Sequence, residues 1–393
     1  MTDVRELKAW AYELAQENIE LYNHICDEIF RHPELGEQEV YSSRFLVSEM
    51  EKRGFRVQMP YGGLDTAFRC EIGSGHPKVA FLAEYDALPG YGPNKDQNGH
   101  ACGHNWIAAC TFGAADVLAR MKDSFPGTIV YIGTPAEEMR GGKVDLVNNG
   151  CFDDIDAVFQ MHLTTGMTKI NSRTLAIDSV EFTFEGVAAH AAGHPWKGVN
   201  ALDAGYLTFN GINALRQHIT PDARIHGIIE EGGVAPNIVP SHCVCKFFVR
   251  AAERDYLNEL TQKVINCAKG AELMTGAKLS VRYFENSYDD LRCDPLLTAL
   301  MAKNLDELGV EYDPTEEPPA GSSDLGNVSK VCPTCYVSMD VGNTDGSACH
   351  EEPFLQHVNS PLAYDKNLKA IKAMVATALD FLTDEELQKK LAK

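Results

Sequence analysis

Short apolar runs, separated by stretches with helical periodicity, constrain the fold of this chain more than any other feature. The runs lie at residues 79–83, 128–132 and 157–159, and a helical stretch at 106–121 lies between the first two. Uninterrupted apolar runs of this length are typical of strands that are covered on both faces. Their alternation with helices predicts an α/β domain with a central, mostly parallel sheet flanked by helices.

Two helices are predicted before the first of these strands. Apolar residues recur close to every 3.6 positions over residues 4–30, which indicates one long amphipathic helix. A second helix is predicted from about Val40, and it should end at Gly54 because glycine is a frequent residue at helix C-termini.

The pattern changes between about residues 169 and 288. Polar and apolar residues alternate at 180–185 and 243–247, and each of these strands precedes a long helix, at 200–218 and 253–271. Alternation indicates a sheet with one polar face, as in antiparallel sheets. The segment is therefore predicted to form a smaller two-layer α+β domain with helices on one side of its sheet.

This smaller domain is expected to be inserted into the larger one. After Asp294 the pattern of helix, strand and helix returns, and the last helix is predicted at about 367–382. The expected boundaries are 1–173 for the first part of the larger domain, 174–290 for the inserted domain and 291–393 for the rest of the larger domain.

The charge of the chain narrows its range of partners. Among 393 residues, 56 acidic side chains outnumber 35 lysines and arginines, so the net charge at pH 7 is 35 − 56 = −21. Such a field repels phosphate backbones and anionic lipid surfaces. No apolar run approaches the roughly 18 residues of a membrane-spanning helix. Neither nucleic acid nor a membrane is therefore an expected partner.

The cysteines and the N-terminal segment indicate the compartment. Twelve cysteines are spread along the chain without a repeating spacing, which favours free thiols over a disulfide scaffold. The N-terminal segment carries acidic residues early and lacks the apolar core of a secretory signal. The expected location is the reducing cytoplasm.

Residues that can bind a metal ion concentrate in one short loop. Cys102 and His104 lie two positions apart across Gly103, so a loop can aim a thiolate and an imidazole at one point. Both donors suit zinc, and imidazole also accepts manganese or iron. The plainer interpretation of this loop is a helix start with a buried thiol.

Further candidates follow the predicted strands or lie late in the chain. Glu137 and Glu138 come just after the strand at 128–132, where α/β sheets carry their active-site loops. Adjacent carboxylates point in different directions, so one can bind a metal ion while the other transfers protons. His162 follows the next apolar run, and His350 lies near the C-terminus. Taken singly, each has a plainer interpretation as a solvated acidic pair or a structural histidine.

Taken in order, these residues resemble the peptidase M20 family, and within it the amidohydrolase branch. The resemblance extends over essentially the whole chain. It includes further motifs, which are RHPELGE at 31–37, AEYDALP at 83–89, AHA at 189–191, APNIVP at 235–240 and GSSD at 321–324.

Two departures from the usual motifs of this branch indicate a subgroup. Asn105 stands where the usual CGHD motif has its aspartate, and Tyr85 stands where the usual MDALP motif has its methionine. Both departures are similar to the subgroup that contains p-aminobenzoyl-glutamate hydrolases and certain cytosolic dipeptidases. Because Asn105 follows a candidate ligand, it is expected to alter the hydrogen bonds around the site.

The resemblance implies a site for two divalent metal ions per subunit, zinc or manganese. Cys102 would bridge the ions, because two nearby cations need an anionic ligand between them and a thiolate is one. The other implied ligands are His104, Glu138, His162 and His350. Glu137 would be the general base, taking a proton from a metal-activated water and passing it to the departing amine.

The resemblance also assigns residues in the inserted domain, which would act as a lid and dimerisation domain. His190 matches a catalytic histidine that reaches the partner's active site in a homodimer. Asn237 and Arg250 match positions that bind a substrate carboxylate, and a guanidinium can grip such a group with two hydrogen bonds. The implied substrate is an N-acyl amino acid or dipeptide with a free carboxylate, and the implied reaction is hydrolysis of its amide bond.

Three alternatives compete with this interpretation. An N-acyl amino acid deacylase with a different acyl specificity would use the same chemistry. A dimeric metal-binding protein without turnover would keep the ligands, although it has no use for a free base such as Glu137. A thiol-redox protein is disfavoured because the pair Cys332 and Cys335 leads into a predicted strand instead of opening a helix.

Overall fold

Two units make up the chain in the computed structural model, which describes residues 3–316 and 318–391. The first unit comprises the described residues of Met1–Arg173, Leu291–Pro318 and Asn327–Lys393, and the second comprises Thr174–Asp290 and Pro319–Gly326.

The expected stretch at 291–393 does not stay within the first unit, because residues 319–326 group with the second. Backbone contacts explain this. The amide of Leu175 donates a hydrogen bond of 2.8 Å to the carbonyl of Gly321. At Gly326, an added Cβ would meet the carbonyl oxygen of Asp289 at 1.9 Å, so only glycine allows this approach.

The helices and strands follow in chain order. Up to residue 173 they are α1 (Val4–Glu17), α2 (Ile19–Arg31), α3 (Val40–Glu51), β1 (Arg56–Gln58), β2 (Phe68–Ser74), β3 (Lys78–Ala83), β4 (Leu88–Tyr91), β5 (Gln97–Gly99), α4 (His104–Arg120), β6 (Gly127–Gly133), α5 (Gly142–Asn148) and β7 (Ala157–Thr164). Between residues 174 and 290 they are β8 (Ala176–Glu185), α6 (Ala201–Leu215), β9 (Arg224–Glu231), β10 (His242–Ala251), α7 (Arg254–Thr275) and β11 (Lys278–Tyr283). Beyond residue 290 they are α8 (Pro295–Glu307), α9 (Leu325–Val331), β12 (Thr334–Asp340), α10 (Pro361–Thr383) and α11 (Glu385–Leu391).

The first unit is built on a sheet with the strand order β1-β2-β6-β3-β7-β12. The strands β6, β3, β7 and β12 run parallel, whereas β1 and β2 are antiparallel at one edge. The carboxyl ends of parallel strands meet at one edge of a sheet, where α/β proteins usually bind ligands. The segments that follow Ala83 and Gly133, and the last residues of β7, lie at this edge.

Helix α4 forms the centre of the first unit. It is buried from His104 to Ala119, with β3 and β7 on one side and helices α2 and α10 also packed against it. A helix that is apolar around its whole circumference is typical of such a position. The first residue of this helix is a candidate ligand, so a rigid and fully enclosed element holds that side chain.

The N-terminal segment differs from its prediction. Residues 4–30 do not form one helix, because the helix is interrupted at Asn18, between α1 and α2. The Asn18 side chain donates a hydrogen bond of 2.8 Å to the carbonyl of Leu14, and its backbone lies at φ −108° and ψ 8°. Asparagine side chains compete with the backbone for such carbonyls, which favours a helix end over a helix interior.

The second unit contains an antiparallel sheet with the strand order β11-β8-β10-β9. Helices α6 and α7 pack against this sheet, and the core between them includes Phe182, Phe247 and Val264. This two-layer arrangement and the mostly parallel sheet of the first unit confirm the predicted α/β class with an additional α+β domain. Within residues 3–316 and 318–391, no helix has the length and apolar character that crossing a bilayer requires.

Candidate metal centre and active site

A glycine positions the two candidate ligands at the start of α4. Gly103 has φ +78°, and a Cβ atom there would meet the Cβ of Leu163 at 3.3 Å. The left-handed conformation and the close contact both favour glycine. Gly103 therefore places Cys102 just before the helix and His104 in its first turn.

The structure brings the sequence-predicted ligands of the first unit together. Their ligand atoms form sets in which all atoms lie within 4.8 Å of one another, and these sets are Cys102 with His104 and His162, Cys102 with Glu138 and His350, and His104 with Glu137 and Glu138. Cys102, His104 and Glu138 each belong to two of these sets, and Cys102 is the one that carries a thiol.

Two buried atoms in this cluster have no hydrogen-bond partner among the described residues. They are Nε2 of His104 and Oε1 of Glu138, which lie 3.9 Å apart. Nε2 of His350 makes an ion-pair contact of 3.2 Å with the same oxygen. Buried polar atoms are normally paired, and these atoms are donors that zinc and manganese accept. The residues present therefore fit a divalent metal site.

The electrostatics of the cluster also favour a cation. Contact with the Cys349 thiol, burial and the nearby Glu138 carboxylate raise the pKa of Cys102 well above its ordinary value. Burial opposes the charge on His104, but the carboxylates of Asp86 and Glu84 outweigh it and raise the pKa of this imidazole. A coordinated metal ion holds a thiol in its deprotonated form. The thiolate form of Cys102 therefore requires a cation in this site.

Hydrogen bonds orient the two imidazoles in the same way. Nδ1 of His104 lies 2.8 Å from Oδ1 of Asp86, and Nδ1 of His162 lies 2.7 Å from the carbonyl oxygen of Leu163. Each Nδ1 can donate its proton there, which leaves Nε2 as the lone-pair donor facing the cluster. Nε2 of His162 lies 3.4 Å from Sγ of Cys102.

Asp86, in the AEYDALP motif, has a role in the site that was not predicted from the sequence. Besides facing His104, its second carboxylate oxygen accepts a hydrogen bond of 2.9 Å from the amide of Glu138. One buried carboxylate therefore orients two candidate ligands. The sequence did contain a signal for this role, because Asp86 comes three residues after β3, at the same edge of the sheet as Glu137.

A buried ion pair also lies beside the site and was not predicted. Nζ of Lys143 is 2.6 Å from Oε1 of Glu84, and both side chains are almost completely buried. The other Glu84 oxygen lies 3.5 Å from Nε2 of His104. Although burial disfavours the charge on Glu84, Lys143 and then His104 lower its pKa below the ordinary value. Glu84 thus adds negative charge next to a candidate ligand.

The expectation for Asn105 is wrong. Its amide donates to Sγ of Cys26 at 3.1 Å and to the carbonyl of Val358 at 3.3 Å. The side chain therefore binds α2 and the segment before α10, and it makes no hydrogen bond to a candidate ligand among the described residues. The reason is helical geometry, because adjacent residues of α4 point in different directions around the helix.

In the second unit, His190 and Asn237 lie on neighbouring loops. The amide of Ala191 donates a hydrogen bond of 3.0 Å to the carbonyl of Asn237, and both side chains are exposed. Nδ1 of His190 accepts hydrogen bonds from the amides of Ala192 and Gly193, so this nitrogen carries no proton and Nε2 is the protonated one.

Arg250 lies near the end of β10, away from these loops. Its guanidinium donates a hydrogen bond of 3.0 Å to Oγ of Ser322, and its Nε is buried without a partner among the described residues. Burial lowers the pKa of Arg250 from its ordinary value. A desolvated guanidinium with an open donor is suited to bind an anion.

Comparison with known proteins agrees with the fold. A parallel sheet with a polar cluster at its carboxyl edge defines the class as an α/β enzyme. Residues 80–379 match the family described as Peptidase family M20/M25/M40. The chain belongs to this family and is a hydrolase of amide bonds, which confirms the resemblance found in the sequence.

Individual relatives cover most of the chain. It is 36% identical to the Xaa-Arg dipeptidase of Mus musculus, over 96% of this chain and 89% of that protein. It is also 36% identical to one of the subunits of the p-aminobenzoyl-glutamate hydrolase of Escherichia coli strain K12, over 67% of this chain and 57% of that protein. A Bacillus subtilis structure described as a dinuclear metal-binding peptidase of family M20 has a TM-score of 0.65 at 20% identity, covering 91% of this chain and 98% of that one.

Proposed function

We propose that this chain is a metal-dependent amidohydrolase that splits the amide bond between an acyl or aminoacyl group and an amino acid with a free carboxylate. The observation that carries the proposal is the cluster of thiol, imidazole and carboxylate groups, in which buried Nε2 of His104 and Oε1 of Glu138 lie 3.9 Å apart without a hydrogen bond among the described residues. Relatives named as a dipeptidase and as a p-aminobenzoyl-glutamate hydrolase support the substrate class.

Two divalent ions, zinc or manganese, would be held by the clustered ligands. Cys102 would bridge them, since it belongs to two of the ligand sets and its thiolate supplies the anionic ligand that two nearby cations need. The other ligands would be His104, Glu138, His162 and His350. When bound, such ions act as Lewis acids that polarise a carbonyl group and lower the pKa of water. A solved relative described as dinuclear supports the number of ions.

Glu137 would supply the proton transfers. Its carboxylate lies within 4.8 Å of the ligand atoms of His104 and Glu138. It would remove a proton from the attacking water and deliver that proton to the nitrogen of the departing amine. His190, with its protonated Nε2, would donate a hydrogen bond to the oxyanion of the tetrahedral intermediate.

Two subunits would act on one substrate. One subunit would contribute Arg250, and the other would contribute His190 and Asn237. Arg250 is eight residues along β10 from His242, or roughly 26 Å at about 3.3 Å per residue. Asn237 lies beyond the His242 end of β10, because its neighbour Ile238 pairs with His190, past the last residue of β8. An extended dipeptide spans only roughly 7 Å. One copy of the second unit therefore cannot place both groups on a single small substrate, and we propose a homodimer in which each site is shared.

The sheet of the second unit offers an edge for this dimer. Strand β9 is the last strand of the sheet in the described part of the chain, and its side chains Ile228 and Ile229 are exposed. An edge strand of this kind can pair with another chain. The second unit would accordingly serve as a lid and dimerisation domain.

Mixing inactive variants tests the shared site. Combining His190→Ala with Glu137→Gln protein in equal amounts should restore about a quarter of wild-type activity, because half of the dimers are mixed and each of these has one complete site. The matched control mixes Arg250→Ala with Glu137→Gln, and it should restore nothing if, as proposed, Arg250 serves the site of its own subunit. Failure of the first mixture after subunit exchange, verified by native mass spectrometry, would refute the shared site.

Removal of metal tests the proposed function as a whole. Dialysis against a chelator should abolish hydrolysis, and zinc or manganese should restore it, because the ligands alone cannot polarise the carbonyl. The assay panel comprises dipeptides ending in arginine, p-aminobenzoyl-glutamate and N-acetyl amino acids. Hydrolysis of acetyl substrates only would favour a deacylase. Metal binding without turnover on every substrate would indicate a binding protein and contradict the proposal.

The proposed site also requires a reducing compartment such as the cytoplasm. All twelve cysteines are free thiols, and Cys102 is one of them. A bridging thiolate cannot form once its sulfur is oxidised.

A further inference from the structure

We propose that Glu39 is a positioning residue, which holds the backbone beside Glu137 and thereby aims the general base. The inference rests on the proposed function, because it takes Glu137 as the base. It goes further by assigning a role to a buried carboxylate that is outside the candidate ligand set.

The backbone of Glu39 is fixed by the start of a helix. It lies immediately before α3, and its carbonyl accepts a hydrogen bond of 3.0 Å from the amide of Ser43 in that helix. The residue is completely buried. Its Oε1 accepts from the amide of Ala136 at 2.8 Å, and its Oε2 accepts from Oγ1 of Thr66 at 2.9 Å. Both carboxylate oxygens are therefore occupied by the surrounding structure.

Burial and the nearby Asp86 carboxylate raise the pKa of Glu39 to about 7. Burial of a carboxyl group costs free energy unless the group is hydrogen-bonded, so its hydrogen bonds are the reason to look for a role. Here one of those bonds reaches the loop that carries Glu137.

Ala136 needs to be held in place. It has φ +59°, a left-handed conformation that residues with a Cβ atom adopt rarely. Its carbonyl accepts hydrogen bonds from the amides of Arg140 and Gly141. On the other side of Ala136, a Cβ at Gly36 would meet the Cα and Cβ of Ala136 at 3.0 Å, so glycine there leaves the room that Ala136 occupies. The segment from Gly36 to Glu39 thus provides the space that Ala136 occupies and the acceptor for its amide.

Glu137 lies between two such tethers. The amide before it, that of Ala136, is bound by Glu39, and the amide after it, that of Glu138, is bound by Asp86 at 2.9 Å. Rotation of the peptide groups at Ala136 would swing the Glu137 side chain. Proton transfer requires donor and acceptor within about 2.6–3.2 Å, so a displacement of about 1 Å lowers the rate strongly.

The test compares variants of Glu39 that keep or remove the acceptor offered to Ala136, with a control for the second hydrogen bond of Glu39. Glu39→Met keeps the length of the side chain but removes the acceptor, and it should lower kcat by about 100-fold. Glu39→Gln keeps a carbonyl oxygen and should stay within about threefold of wild type. Thr66→Val is the matched control, since it removes the other hydrogen bond of Glu39 and should also stay within about threefold. KM and metal content should remain at wild-type values in all three.

Several outcomes would overturn the inference. They are wild-type kcat in Glu39→Met, an equal loss in Glu39→Gln, or a loss of metal that parallels the loss of kcat. If Glu39→Met does not fold, Glu39→Asp replaces it, because the shorter carboxylate withdraws from Ala136 but keeps the charge; wild-type kcat in that variant also overturns the inference. Glu137→Gln, measured alongside, separates the two levels: normal turnover there refutes the role of Glu137 itself.

Discussion

Replacing Glu137 with glutamine is expected to lower kcat by about two to four orders of magnitude, the usual contribution of a positioned acid or base. Glutamine has almost the same shape as glutamate but cannot take a proton from water or return one to the departing amine. Steady-state kinetics with a hydrolysed member of the substrate panel gives kcat. Elemental analysis of the same preparation should show the metal content of the wild-type protein.

The neighbouring carboxylate supplies the matched control. Glu138→Gln should lose activity together with metal, because its buried Oε1 lies 3.9 Å from Nε2 of His104 and 3.2 Å from Nε2 of His350, among the candidate ligand atoms. A low kcat with full metal in one variant, and a low metal content in the other, would separate the base from the ligand. Near-normal turnover in Glu137→Gln would remove Glu137 from the mechanism.

Replacing Cys102 with alanine is expected to have the second large effect, a loss of bound metal. Changes to residues that only orient ligands typically cost about 10- to 100-fold in affinity, so removal of the bridging ligand should exceed about 100-fold. The physical reason is that the thiol of Cys102 belongs to two of the three sets of clustered ligand atoms described above. Elemental analysis after dialysis, and competition with a chromogenic chelator, measure the loss.

Cys267→Ala is a suitable control for the removal of a thiol. Cys267 is a partly buried cysteine of the second unit, outside the ligand sets of the described chain. This variant should retain its metal at the wild-type level. Full metal occupancy in Cys102→Ala would show that this thiol does not bridge the ions and would leave the proposed site without its central ligand.

Several features of the fold follow directly from local sequence patterns. The strands β3, β6 and β7 were predicted because uninterrupted apolar runs are typical of strands that are buried on both faces. The strands β8 and β10 were predicted from alternation, which reflects a sheet with helices on one face only. In both cases the signal is a periodicity within one short segment, so no knowledge of distant residues was needed.

Other features depend on contacts that no local pattern encodes. The break at Asn18 coincides with a local side-chain hydrogen bond to Leu14, which the continuous amphipathic pattern does not reveal. The grouping of residues 319–326 with the second unit results from backbone contacts to segments far away in the sequence, such as that between Leu175 and Gly321. The direction of Asn105 is set by its partners on α2 and before α10.

The sequence by itself determined the composition of the candidate site: a thiol, imidazoles and a pair of carboxylates placed at strand ends, in an order that resembles the M20 family. Only the tertiary structure decided how these groups are held. Asp86 orients His104 and Glu138, and Glu39 binds the loop of Glu137 across 97 positions of sequence. The physical reason is that ligand chemistry belongs to single residues, whereas orientation depends on buried hydrogen bonds that form only when distant segments pack together.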